Sequence, residues 1–145
     1  MRARVSLSMS LLNRDRQGAT AVEFALVAPI LLMFLFMIVE GARLLWTQQA
    51  LQETAASSVR CWALKSPCSS AALTRSYATN RASGNGVDLG NAIIDVTSGQ
   101  NCHGLTQMNK VTIQLPYQAF VPHLLPGAPA TLVASACFPP LPSSS

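Results

Sequence analysis

The chain has 145 residues, half of them hydrophobic and only 11% charged, which is little charge for an ordinary soluble surface and suits one small domain beside an apolar segment. Its net charge of +4 is unevenly placed: Arg2, Arg4, Arg14 and Arg16 against Asp15 put +3 before Gly18, and everything after carries +1. A basic terminus of this kind orients a membrane segment, and with no basic patch interleaved with aromatics, nucleic-acid binding is excluded as a function class.

Residues 24–39, FALVAPILLMFLFMIV, contain no charge and no strongly polar group. As a helix they rise roughly 24 Å, and their neighbours on either side supply the rest of a hydrocarbon core about 30 Å thick. A signal peptide would have a shorter apolar core and a small-residue cleavage site after it, whereas Glu40 and Arg43 follow here. The expectation is a single transmembrane helix over 19–46, with Trp46 in the interfacial aromatic belt. Four arginines precede the apolar run and only Arg43 lies close after it, so the N-terminus is expected in the cytoplasm and the remainder outside. Glu40 and Arg43, three apart on a helix, are expected to form a solvated pair at the outer boundary.

The helix is expected to continue. Leu44, Gln48, Leu51, Ala55, Val59 and Trp62 recur at steps of three or four, forming one apolar stripe. Pro67 ends it, so one helix over about 20–65 is predicted, with a mild kink at Pro29. Ser69 or Ser70 caps a second helix running to about Arg81, with Leu73 and Tyr77 on its inner face, and SGNG over 83–86 terminates it. The period then becomes two. Ala92, Ile94 and Val96 share one face, then Val111, Ile113, Leu115 and Tyr117, then Leu132, Ala134, Ala136 and Phe138. SGQNCHG over 98–104 reads as the turn between the first two strands, and the proline-rich 116–129 as a surface loop. Three strands bury an apolar face only against another element, and the amphipathic part of the long helix is the available partner. The fold class is therefore α+β: a three-stranded antiparallel sheet packed on a long helix, with residues 47–138 as an exported head and 139–145 as a flexible tail.

Cys61, Cys68, Cys102 and Cys137 all fall in the exported part, an even number suited to disulfides in an oxidising compartment. Of three connectivities, Cys61–Cys68 and Cys102–Cys137 is preferred. Pro67 lets the chain fold back toward Cys61, and the second bridge would fasten the last strand to the sheet. A zinc site lacks support, since there is no C-x-x-C pair and His103 and His123 have no ligand-like spacing. Cys102 beside His103 is the only pair resembling a thiol and its base, and adjacent residues rarely reach that geometry. No enzyme, cofactor, metal or small-molecule substrate is expected.

Glu23 at the head of the apolar run is the exception that asks for a reason, because a carboxylate in lipid costs about 2.5–3.5 kcal/mol at the bilayer centre and less near its edge. RQGATAVEF, residues 16–24, resembles a type IV prepilin processing site, and GATAVEFALVAPILLMFLFMIVEGARLLWTQQALQ resembles the opening of TadE-like proteins, the minor pilins or pseudopilins of tight-adherence (Tad) pili. The resemblance is specific over about 16–51 and architectural beyond. It implies a leader over 1–18, cleavage by a prepilin peptidase between Gly18 and Ala19, and a role for Glu23 and Phe24 in assembly, where the carboxylate pairs with the new α-amine of a neighbouring subunit. Major Tad subunits usually carry Tyr after this Glu, so Phe24 fits the TadE-like branch better. The implied partners are the peptidase, other pilins or pseudopilins, the Tad assembly machinery of the bacterial inner membrane, and the lipid bilayer. The alternative is an uncleaved single-pass protein whose head binds an envelope partner, and the identity of the mature N-terminal residue separates the two.

Overall fold

The structure, a computed structural model, describes residues 15–119, 127 and 129–141. Residues 1–14 of the expected leader, His123 with most of the proline-rich loop, and residues 142–145 of the tail lie outside the described residues. In chain order the elements are α1 (Asp15–Leu64), α2 (Ala71–Gly84), β1 (Ile93–Cys102), β2 (Leu105–Pro116) and β3 (Thr131–Phe138). The class is α+β, with an antiparallel sheet in the order β1-β2-β3. The chain divides into two units, Met1–Val39 and Glu40–Ser145.

The first unit is α1 up to Val39, passing through Pro29. Among its described residues the large apolar side chains are all exposed, from 41% at Met37 to 74% at Phe24. Over Thr20–Leu64 an 18-residue window reaches a mean hydropathy of 2.6, so by length and composition this helix is able to cross a membrane.

In the second unit, the rest of α1 lays its stripe on the sheet. Leu51, Ala55 and Val59 are fully buried against Val111, Ile113 and Ala134, and Leu44 packs partly buried at the edge of this core. The register builds rows that cross the sheet, Ile94–Ile113–Ala134 and Val96–Val111–Ala136, so period-two alternation brings three strands to one apolar face. Two stripe positions do other work. Gln48 Nε2 donates to the Val133 carbonyl at 3.0 Å, and the half-buried Trp62 donates Nε1–H to Ser98 Oγ at 3.1 Å. Arg75 of α2 donates Nε–H to the Ile94 carbonyl at 3.0 Å. Each outer strand thus has one edge carbonyl occupied by a side chain, which blunts the edge as a pairing template.

Helix α2 is capped by Ser70, whose Oγ accepts from the Leu73 amide. At its other end Gly86 (φ 76°) donates to Ser83 O and Val87 to Ala82 O, the paired bonds of a Schellman closure. Its inner face is not the expected one. Thr74, Ala78 and Ala82 are buried, while Leu73 is exposed and Tyr77 only half-buried. Small residues allow close approach of the backbone, and that selects the face one position on from the larger side chains.

The turn expected over 98–104 is also corrected. Strand β1 runs through most of it to Cys102, with register shifts between Thr97 and Gln100 and between Gln100 and Cys102. Gly99 (φ 72°) takes the left-handed conformation in that irregular stretch. The reversal itself is two residues, His103 (φ 50°) and Gly104 (φ 83°), between the partners Cys102 and Leu105. Positive φ at both positions is what a two-residue type I′ hairpin requires.

Candidate functional site

Gly18, Ala19, Glu23 and Phe24 all lie on α1. The helix begins at Asp15, earlier than the expected start near residue 20, so Gly18 is inside its first turns. A Cβ added at Gly18 would meet nothing within 4 Å, and glycine in a helix interior costs about 1 kcal/mol relative to alanine. Packing among the described residues therefore gives no reason for glycine at this position. Glu23 is exposed, as is Phe24. Ala19 and Glu23 are four residues apart, about 6 Å along the helix axis, so they share one face.

The family model described as TadE-like protein matches residues 18–60. Residues 18–60 are thus similar to TadE-like proteins. The match begins at Gly18, includes Glu23 and Phe24, and covers less than a third of the chain, ending before α2 and the sheet. No curated protein and no solved structure matches the chain.

Within α1, the Glu40–Arg43 pair differs from its expectation. Arg43 Nη1 does approach Glu40 Oε2 at 3.3 Å. Glu40, however, is only 3% exposed, and its other oxygen, Oε1, accepts the Tyr117 hydroxyl at 2.8 Å. A carboxylate removed from water needs its lone pairs satisfied, and here a residue far along the chain supplies one of the two bonds. Tyr117 follows the end of β2 and is held there by its own amide, which donates to Ala130 O at 2.8 Å. Its pKa is raised above 10.0, chiefly by burial, then by its hydrogen bond to Glu40 and that group's charge, with Arg43 opposing. The available signal was the alternation Val111, Ile113, Leu115, Tyr117, which puts the tyrosine on the helix-facing side of the sheet.

The remaining cross-links lie in the second unit. Cys61 is bonded to Cys68 and Cys102 to Cys137, with Cα–Cα distances of 5.5 and 6.4 Å. Arg60 stacks over the Phe138 ring at 5.8 Å and Lys65 over Trp62 at 3.6 Å. Near α2, Arg81 pairs with Glu53 at 2.7 Å and Trp46 Nε1 donates to Asn85 O at 3.2 Å. Half-exposed on both sides, the Arg81–Glu53 pair contributes no more than about 1 kcal/mol. Among the described residues no group of three His, Cys, Asp or Glu gathers as a metal site.

Proposed function

We propose that this chain is a minor pilin or pseudopilin of a Tad-type pilus system: a structural, membrane-anchored component matured by a prepilin peptidase between Gly18 and Ala19. The observation that carries the reading is the TadE-like match starting at Gly18, on a helix whose described large apolar side chains up to Val39 remain exposed and whose Gly18 has nothing described within packing distance. Such a helix needs lipid or the apolar helices of other subunits, because roughly 25 cal/mol is lost for each Å² of apolar surface left in water. In this reading the basic leader stays in the cytoplasm and the disulfide-bonded head faces the periplasm. Glu23 then meets the α-amine of a neighbouring subunit, which removes two charges from an apolar bundle together.

Glycine at 18 suits a peptidase cleft that must close on bare backbone. Because the helix starts at Asp15, cleavage there requires its first turns to unwind, and a helix-poor glycine lowers that cost. The test is mass spectrometry of the N-terminus from cells carrying the prepilin peptidase. A mature chain beginning at Ala19, and an unprocessed precursor from Gly18→Val, support the proposal. Normal maturation of Gly18→Val removes the glycine-dependent cleavage on which the proposal stands, and a native chain that keeps its leader overturns it in favour of an uncleaved membrane protein with an envelope-binding head.

A further inference from the structure

We propose that Asn85 is a site of spontaneous deamidation, slowed in the folded head by the closure of α2, and that its conversion frees that end of α2 from α1. Asn85 is the only asparagine in the chain that is followed by glycine. A glycine amide carries no side chain to keep it from the asparagine Cγ, so this dipeptide closes a ring more readily than any other asparagine pair here. The site lies wholly within the Glu40–Ser145 unit and does not depend on what the apolar segment does.

The chemistry needs only water. The Gly86 nitrogen, once deprotonated, attacks Cγ of Asn85. The N–Cγ bond forms, the Cγ–Nδ2 bond breaks, and Nδ2 leaves as ammonia with the proton that Gly86 gave up. Water then opens the five-membered succinimide at either carbonyl. One opening gives aspartate at position 85, and the other gives isoaspartate, in which the main chain runs through the former side chain.

Access is open but the geometry is closed. Gly86 is exposed and Asn85 half-buried, so water reaches both. With ψ at 8°, however, the Gly86 nitrogen eclipses the Asn85 nitrogen instead of approaching Cβ and Cγ. Its N–H is also engaged, donating to Ser83 O at 3.0 Å. From α1, Trp46 Nε1 donates to the Asn85 carbonyl at 3.2 Å, and Asn85 Nδ2 donates to Glu53 Oε2 at 3.5 Å. Ring closure requires rotation about the Asn85 Cα–C bond, which breaks the Gly86 bond and turns the carbonyl away from Trp46. Reaction therefore proceeds from a locally opened closure.

Conversion then keeps that closure from re-forming fully. Either product sets a carboxylate where the amide donor to Glu53 stood, beside a like charge and at the carbonyl end of α2. Both surroundings disfavour a negative charge. Isoaspartate in addition displaces the carbonyl that accepts Trp46.

The test ages the full-length chain in detergent at mildly alkaline pH. Peptide mapping by mass spectrometry with isoaspartyl methyltransferase labelling reads position 85. Wild type should gain isoaspartate in excess of aspartate there, ahead of Asn80, Asn91, Asn101 and Asn109. The guanidinium-unfolded chain with both disulfides intact should convert about tenfold faster, the factor that one backbone hydrogen bond held closed supplies. Trp46→Phe, which keeps an aromatic ring and deletes the donor, should convert faster than wild type with an unchanged circular dichroism spectrum. Asn85→Asp, a stable stand-in for one product, should speed hydrogen exchange of the Val87 amide, which is bonded to Ala82 O in the closure. Equal rates in folded and unfolded chains, or a Trp46→Phe rate equal to wild type, overturn the control by the closure. A folded chain that gains no isoaspartate at 85 while the unfolded chain does overturns the site. Unchanged Val87 exchange in Asn85→Asp overturns the release of α2.

Discussion

Tyr117 and Glu40 are 77 residues apart in sequence and 2.8 Å apart between Oη and Oε1. The bond ties the turn of α1 just after the apolar run to the end of β2, and the carboxylate it serves is 3% exposed. Removing one partner of a buried charged group leaves the other to bear its desolvation. Tyr117→Phe keeps the ring and deletes the donor, and should cost about 1.5–3 kcal/mol. For a unit of this size that lowers the thermal midpoint of the detergent-solubilised chain by several degrees, since 1 kcal/mol corresponds to roughly 4–8 °C at 60–100 residues. An unchanged midpoint would show that water or Arg43 satisfies Glu40 alone.

The same pair predicts an alkaline limit. The Tyr117 pKa is raised above 10.0, first by burial and then by Glu40, so the folded state holds this proton more tightly than the unfolded one. Its contribution to stability is complete below about pH 10 and is lost as pH climbs through the raised folded value. The difference in tyrosinate absorbance between wild type and Tyr117→Phe isolates this group. Its midpoint should lie above that of the urea-unfolded chain, and coincident midpoints would contradict the raised value.

The sequence disclosed periodic features better than non-local ones. The stripe Leu51, Ala55, Val59 and the alternation Val111, Ile113, Leu115 are each set by a helix or strand repeat, and both end in the core. The inner face of α2 was missed because Leu73 and Tyr77 outweigh Thr74, Ala78 and Ala82 in hydrophobicity, while close packing favours the small side chains that are in fact buried. The 98–104 stretch misled because Gly99 supports an irregular strand there, and Ser-Gly reads the same in a turn. Glu40 read as solvated because a helix repeat reveals Arg43 and says nothing of Tyr117. Gly18 and Glu23 were legible from motif alone, and the partners proposed for them belong to other molecules.

The two disulfides should contribute unequally. Cys102–Cys137 spans 35 residues of sequence and Cys61–Cys68 spans 7. The chain-entropy model gives about 3–4 kcal/mol for the longer loop and about 2 kcal/mol for the shorter. Paired Cys→Ser replacement at 102 and 137 should therefore lower the midpoint more than the same replacement at 61 and 68. Equal or reversed losses would mean that the short loop gains most of its value from native contacts, such as the Lys65–Trp62 stack.

Two hydroxyls in the core run against stability. Thr54 Oγ1 and Ser58 Oγ are buried with no hydrogen-bond partner among the described residues. A buried polar group left unpaired costs about 1–3 kcal/mol. Thr54→Val preserves shape and β-branching, and Ser58→Ala improves helix propensity, so each is expected to raise stability by about 1 kcal/mol. Thermal scans of both variants decide this, and a loss at either position would reveal a partner for that hydroxyl.

Glu23 is predicted to act between subunits. It is exposed on a helix whose apolar neighbours are exposed as well, so its loss should leave the head's fold untouched. Glu23→Gln keeps the size and one acceptor while deleting the charge that an α-amine would meet. The variant should reach the membrane and keep both disulfides, yet assemble poorly. An intermolecular cross-link between cysteines placed at 19 and 23 in separate copies should form in assembled wild-type background and fall sharply when the remaining subunits carry Glu23→Gln. If piliation and cross-linking both persist, the carboxylate has no partner amine and its position at the head of the apolar run needs another cause.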